Sequence, residues 1–251
     1  MAAFDAGVPP DLQAFMADSN RAVIEHRVTE DIPKIRLDAI KEAALGYGVK
    51  GGLARRSYEI NKILLDNRQM LDGMFRFSAW MMDKNVMPPV VTLVTDPIHL
   101  ADPDTIRAAD VTYKIERQAT FVLSPPNWRD YLVTNYKYQA DAPAAVLYPK
   151  SDIEKKLWDK YVGDGWKIGV TQANEIYGHS LARLKRDFLG MATYKFLYEQ
   201  GKIGKPYVSQ ANLGVTSDGN TMSVNDRVTR IILKPQFEAN PNRWTPVMVP
   251  R

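Results

Sequence analysis

Three glycines in the 251-residue sequence have the spacing of a known binding loop. Gly46-x-Gly48-x-x-Gly51 matches the dinucleotide-binding pattern, whose glycines let a backbone approach a pyrophosphate at the N-terminus of a helix. Such a loop follows a strand, whereas helical periodicity precedes these glycines. We therefore interpret them as a hinge between two helices and expect no bound cofactor.

Metal ligands are scarce in this sequence. The three histidines are His26, His99 and His179, and only Glu175 with His179 has the spacing that places two ligands on one face of a helix. Two ligands do not complete a site, and the sequence contains no cysteine. We therefore expect no metal ion, and a surface or interface position for His179.

Four acidic residues that lie close in sequence suggest paired carboxylates for acid–base catalysis or for calcium: Asp102, Asp104, Asp110 and Glu116. Short carboxylates on both sides of Pro103 are more typical of a turn, because they bond to nearby backbone amides. No nucleophile elbow or phosphate-binding loop is present. We therefore predict that the protein is not an enzyme. An enzyme that acts on envelope polymer is kept as an alternative, since the five tryptophans offer surfaces for stacking on sugars.

The composition, 45% hydrophobic and 25% charged, is that of a folded globular protein, and the net charge is +4. The segment Leu181–Lys205 contains six basic and two acidic residues, a surplus that equals the charge of the whole chain. A solvated helix face is the preferred interpretation of this basic run. Polyanion binding is an alternative, and we expect no direct contact with nucleic acid.

The fold is predicted to be α+β, with long helices packed with a small antiparallel sheet in a single domain over residues 31–251. Residues 1–30 have weak periodicity and several turn-forming residues, and they predict a flexible N-terminal arm. No apolar segment approaches the roughly 18 residues that a membrane-spanning helix needs.

Two helices are predicted in the first third of the chain. Apolar residues at three- and four-residue steps predict a helix over residues 34–47, which Gly46 and Gly48 end. The same periodicity resumes after the glycines and predicts a second helix over residues 53–84, which two prolines then stop.

A third long helix is predicted from a capping box. Ser151 and Glu154 have the spacing in which the serine bonds a first-turn amide and the glutamate reaches back to the serine amide. Helical periodicity continues to Gln200, and a straight helix of that length would overhang a compact domain. A glycine costs about 1 kcal/mol inside a helix. We therefore favour a break between Gly163 and Gly169, with a continuous projecting helix as the alternative.

Two regions have the two-residue period of strands. Alternation over residues 111–121 predicts a strand with one buried face, on which Arg117 is the exception, and residues 88–95 are its expected companion. Residues 207–216 and 221–233 predict a hairpin whose turn contains Asp-Gly.

Several separate blocks, in the same order along residues 34–233, resemble the DotC family. The blocks are IRLDAIKEAALGYGVKGGL (Ile35–Leu53), VMPPV (Val86–Val90), LADPDTIR (Leu100–Arg107), PPNWRDYL (Pro125–Leu132), LARLKRD (Leu181–Asp187) and VNDRV (Val224–Val228). DotC proteins are outer-membrane lipoproteins of type IVB (Dot/Icm-like) secretion systems and of the related conjugation machines of I-type plasmids. The family includes the TraI-type transfer proteins of such plasmids.

The resemblance implies a structural subunit of the outer-membrane core complex, assembling with DotD-like and DotH-like proteins. It also implies a location at the periplasmic face of the outer membrane, through an N-terminal lipid on a cysteine. The sequence has neither a leader pattern nor a cysteine, so we expect that Met1 replaces a removed leader.

Two groups of residues are the expected assembly contacts, because aromatic residues and arginine dominate the energy of many interfaces. For Arg129 and Asp226, hydrogen bonding to loops of the protein's own core is an equal alternative. The expected contacts are Trp128, Arg129 and Tyr131, beside a proline turn, and Asn225, Asp226 and Arg227, near the hairpin.

Overall fold

The computed structural model describes residues 9–18, 33–95, 97–134 and 143–245. The helices are α1 (Leu12–Asp18), α2 (Lys34–Asp66), α3 (Arg68–Met74), α4 (Trp128–Leu132) and α5 (Asp152–Glu199). The strands are β1 (Val86–Met87), β2 (Val90–Thr95), β3 (Ile98–Asp102), β4 (Thr105–Ala108), β5 (Val111–Arg117), β6 (Thr120–Phe121), β7 (Tyr207–Ser217) and β8 (Met222–Leu233). The predicted α+β class is confirmed.

The chain forms two compact units. Unit 1 comprises residues 1–74 and 128–182, and unit 2 comprises residues 75–127 and 183–251. Helix α5 therefore contributes its N-terminal part to unit 1 and its C-terminal part to unit 2. Of the predicted N-terminal arm, residues 1–8 and 19–30 lie outside the described residues.

Helix α1 packs on unit 1 through one aromatic side chain. Phe15 is 2% exposed, and its ring stacks on Tyr47 with the two centroids 4.0 Å apart. Trp166 contacts Phe15 edge to face, and Trp158 belongs to the same buried cluster. This aromatic cluster is the core of unit 1.

The predicted end of the first helix at Gly46 and Gly48 is wrong, because α2 continues without interruption to Asp66. These glycines are therefore neither a cofactor loop nor a hinge. A Cβ at Gly48 would overlap the carbonyl oxygen of Val162 on α5, and one at Gly52 would overlap that of Trp166. The absent side chains let the two helix backbones approach closely.

The predicted break in α5 is also wrong, and the same contact explains why. A Cβ at Gly165 would overlap the carbonyl oxygen of Leu45, and one at Gly169 would overlap that of Val49. Glycine is therefore needed at these two positions for contact with α2, and α5 is continuous from Asp152 to Glu199. The backbone packing compensates the low helix propensity of glycine, as at other close helix crossings.

The second predicted helix is interrupted at Asn67 and ends at Met74, 10 residues early, because its C-terminal residues have other partners. Helix α2 stops at Asp66, and the Asn67 side chain donates a hydrogen bond to the carbonyl of Ile63 at 2.8 Å. After α3, Phe75 and Phe77 leave the helical path. Their rings pack edge to face on Phe188, with centroids 5.4 and 5.3 Å away. Burial of these rings in unit 2 replaces the predicted helical continuation.

The N-terminus of α5 confirms the predicted cap and adds an ion pair. The Glu154 amide donates to the Ser151 hydroxyl at 3.3 Å, while the Glu154 carboxylate accepts from the amide of Lys150, not from that of Ser151 as predicted. Arg36 of α2 donates to both oxygens of Glu154, at 2.6 and 3.0 Å. Burial opposes ionisation of Glu154, but these hydrogen bonds outweigh it and hold its pKa below the ordinary value of 4.5.

We expect Glu154→Gln to lower the free energy of unfolding by about 1–2 kcal/mol near neutral pH, because charge-assisted bonds to Arg36 are lost. A carboxyl group whose pKa is lower in the folded than in the unfolded protein stabilises the fold at any pH above its unfolded-state pKa. This stabilisation is lost as the pH falls through the folded-state pKa. The difference in free energy of unfolding between wild type and variant should therefore shrink as the pH falls below 4.5, the ordinary pKa of glutamate. Urea unfolding from about pH 7 to about pH 3 measures it.

The control for this prediction is Glu175→Gln, which changes an exposed glutamate of the same helix. It should leave the free energy of unfolding nearly unchanged. A pH-independent difference between wild type and Glu154→Gln would contradict the assigned electrostatic role.

The predicted strand pair of unit 2 is present in modified form. β2 pairs with β5 in antiparallel fashion, but the predicted strand over residues 111–121 is divided, and β6 pairs with β1 instead. Val91 is buried with Tyr194 and Leu197 of α5, whereas Val111 and Phe121 at the ends of the predicted buried face are exposed. The helix covers only part of that face.

Arg117, the polar exception on the predicted face, binds a buried carboxylate. Its guanidinium donates to Asp187 of α5 at 2.9 Å, and Arg186 donates to the other oxygen of Asp187. The Asp187 side chain is 2% exposed. The Nε and Nη2 atoms of Arg117 are buried with no hydrogen-bond partner among the described residues. Asp187 is therefore the principal partner of a partly buried cation.

Candidate assembly surfaces

The first predicted contact group lies in unit 1 and is organised around an acidic residue of α3. Trp128 is fully buried, and its indole donates to Asp72 at 2.8 Å. Arg129 donates two hydrogen bonds to the Asp72 carboxylate, at 2.6 and 3.2 Å, and lies over the Trp128 ring. The pKa of Asp72 is lowered most by the hydrogen bond from Arg129 and next by the one from Trp128. Tyr131 is half-buried.

This cluster joins α3 to α4 within unit 1. The polar groups of Trp128 and Arg129 form hydrogen bonds with Asp72. This internal role is the alternative that the sequence left open for Arg129. An assembly role for Trp128, Arg129 and Tyr131 stays a prediction.

The second predicted contact group lies on β8 in unit 2. Asn225 is exposed and has a left-handed backbone with φ of 59°, a conformation that asparagine tolerates better than most residues. Asp226 accepts a hydrogen bond from the Thr216 hydroxyl of β7 at 2.8 Å, and Arg227 is exposed. The register of β7 and β8 shifts beside Asn225, as expected for a bulge.

The predicted β7–β8 hairpin is confirmed, and it has an apolar surface that the sequence analysis did not single out. Val215 and Val224 face each other across the two strands, and Met222 lies on the same face. Their exposed fractions are 62%, 62% and 68%. We call these three residues the tip strip. Alternation of valine and methionine with polar residues beside the turn was the sequence signal for it.

The acidic candidates for catalysis or metal binding have local partners where the structure describes them. Asp102 accepts a hydrogen bond from the amide of Asp104, which confirms the turn interpretation. Glu116 binds Lys114, whose hydrogen bond lowers the pKa of Glu116. Within the described parts of the chain, no three acidic or histidine side chains are grouped to hold a metal ion. His26 and the side chain of His99 lie outside the described parts of the chain.

Part of the basic run is directed at side chains of unit 2. Arg186 binds Asp187, Lys195 lies over the ring of Trp80, and Lys202 lies over the ring of Trp244. These cations are therefore not all presented to solvent as one face. Across the helices that the structure describes, none is apolar over enough length to cross a membrane.

Apolar residues that are contiguous and exposed, as in the tip strip, are one feature of interaction sites. Residues 34–246 match the TraI family of the type IV secretory system, described as conjugal DNA-protein transfer. The match extends from α2 to beyond β8, so this chain belongs to that family and is a component of a type IV secretion or conjugation system. No curated protein matches the chain.

Proposed function

We propose that this chain is a structural subunit of the outer-membrane core complex of a type IVB secretion or conjugation system, in the manner of DotC. It assembles with DotD-like and DotH-like proteins and helps to position the DotH-like subunit. It lies at the periplasmic face of the outer membrane, to which DotC proteins are anchored by an N-terminal lipid. Its role is architectural and involves no reaction.

The observation that carries this proposal is the tip strip. Val215, Met222 and Val224 are each more than half exposed and share one face of the hairpin. An isolated two-stranded hairpin in water is only marginally stable, and burial of its apolar face against a partner would stabilise it. Membership in the type IV secretory family supports a binding role within such a machine.

We expect Val224→Asp to weaken binding to the DotH-like or DotD-like partner by about 30-fold or more, which is the effect of losing an interface residue worth 2 kcal/mol. A carboxylate placed in the interface would have to be desolvated without a partner. The unfolding midpoint should change little, because Val224 is exposed in the isolated chain. Co-purification from membranes and the frequency of conjugative transfer measure the effect.

Ser223→Asp is the matched control. Ser223 neighbours Val224 in β8 but points to the opposite face, opposite Thr216. It introduces the same charge in the same strand and should leave co-purification and transfer near wild-type values. Equal behaviour of the two variants would contradict a role for the tip strip.

A further inference from the structure

The outer edge of β8 is a second surface, distinct from the tip strip. Among the described residues, β8 pairs with β7 and with no other strand. Every second backbone N–H and C=O on its outer edge therefore lacks a strand partner there. Such an edge is a template for another strand.

Two side chains of opposite charge lie along this part of β8. Asp226 shares a face with Thr216, to which it is bonded, and alternation places Val228 and Arg230 on that face too. Asp226 and Arg230 lie about 13 Å apart along the strand, too far to pair with each other. In the part of the chain that the structure describes, neither forms an ion pair. Both are available to a partner with the complementary pattern.

We propose that a second copy of this chain docks on the outer edge of β8, with the two β8 strands antiparallel and Val228 opposite itself on a two-fold axis. This register places Asp226 of each copy opposite Arg230 of the other, so two ion pairs flank the two valines. A parallel, in-register arrangement would place Asp226 beside Asp226. The outer edge of β7 carries no charged residue in Tyr207–Ser217 that could select a register.

The proposed contact between the two copies can extend only over the regular part of β8. The ladder with β7 has three register shifts. Two of them leave an extra residue in β8, at Asn225 and Ile232, and the third leaves Leu213 extra in β7, so β8 itself has no extra residue from Asp226 to Ile231. That segment contains both charges and the central valine. The tip strip lies on the opposite face and nearer the turn, so the second copy leaves it accessible. This inference does not depend on the proposed partners of the tip strip.

Charge reversal tests the register with the full chain. In Asp226→Arg, arginine faces arginine at both contacts, and in Arg230→Asp, carboxylate faces carboxylate. Each variant alone should weaken self-association at least about tenfold. An equimolar mixture of the two variants should recover it as a mixed dimer, because every contact is then complementary. Sedimentation over a concentration series measures both effects.

Arg227→Asp is the control, since it makes the same change of charge on the other face of β8. It should leave self-association unchanged. A wild-type chain that stays monomeric over the series would overturn the proposal. So would a dimer that ignores charge reversal, or a mixture of the two reversed variants that stays monomeric.

An engineered disulfide provides an independent measurement, because the chain contains no cysteine. Directly opposed residues of antiparallel strands have Cβ atoms about 5 Å apart, which a disulfide can bridge with a small adjustment. Val228→Cys should therefore form a covalent dimer under mild oxidation. Thr229→Cys should not, since in this register Thr229 faces Arg227 of the second copy. Cross-linking of both variants to the same extent would overturn the two-fold arrangement.

Discussion

Replacing Gly48 with alanine is expected to destabilise the protein by about 2–4 kcal/mol. The new Cβ would overlap the backbone carbonyl of Val162, and a backbone atom cannot move aside as a flexible side chain can. The helices α2 and α5 would have to separate where Gly48 and Gly165 now let their backbones meet. The core of Phe15, Tyr47 and Trp158 beside the crossing would loosen with them.

Gly46→Ala is the matched control for this change. Gly46 lies two residues earlier in the same helix, and a Cβ there would meet no atom within 4 Å. Alanine has the higher helix propensity, so Gly46→Ala should stabilise the protein by up to about 1 kcal/mol. Thermal and urea unfolding of both variants should separate them in opposite directions from wild type. Equal melting temperatures would show that the close crossing does not govern stability.

Replacing Asp187 with leucine is expected to lower the free energy of unfolding by about 3 kcal/mol, because a partly buried cation loses its principal partner. Arg117 would be left with its three guanidinium nitrogens unpartnered, two of which already have no partner in the described structure. The measurement is chemical unfolding at neutral pH.

Two further variants locate the cause. Arg186→Ala removes the other donor to Asp187, but the Arg186 side chain is 52% exposed, so the loss should stay below about 1 kcal/mol. Combining Asp187→Leu with Arg117→Leu removes both charges, and the double variant should recover much of the stability lost in Asp187→Leu. A double variant whose loss equals the sum of the single losses would contradict the coupling of Arg117 and Asp187.

Local structure was predictable from sequence wherever a few neighbouring residues determine it. Ser151 caps α5 because its hydroxyl accepts a bond from an amide three residues on. The β7–β8 turn was predictable because Gly219 supplies the positive φ that it requires, with a value of 92°. The blocks that indicate a type IV system could also be recognised without the structure, since they are a property of the sequence alone.

The helix boundaries were not predictable by the same reasoning, because propensity describes an isolated helix. Glycine lowers the stability of such a helix, and on that basis the sequence predicts a helix end at Gly48 and a break around Gly165. Both positions lie inside continuous helices, because each faces the backbone of a helix more than one hundred residues away. Likewise, Arg117 looked like an exception on an apolar face until Asp187 was placed beside it.

The sequence by itself determined the fold class, the hairpin, the cap of α5 and membership in a conjugal transfer family. Only the tertiary structure decided which glycines are contact points, which carboxylates are buried, and which face of β8 is apolar and exposed. The physical reason is that burial and pairing depend on residues distant in the chain, whereas periodicity and turn chemistry depend on near neighbours.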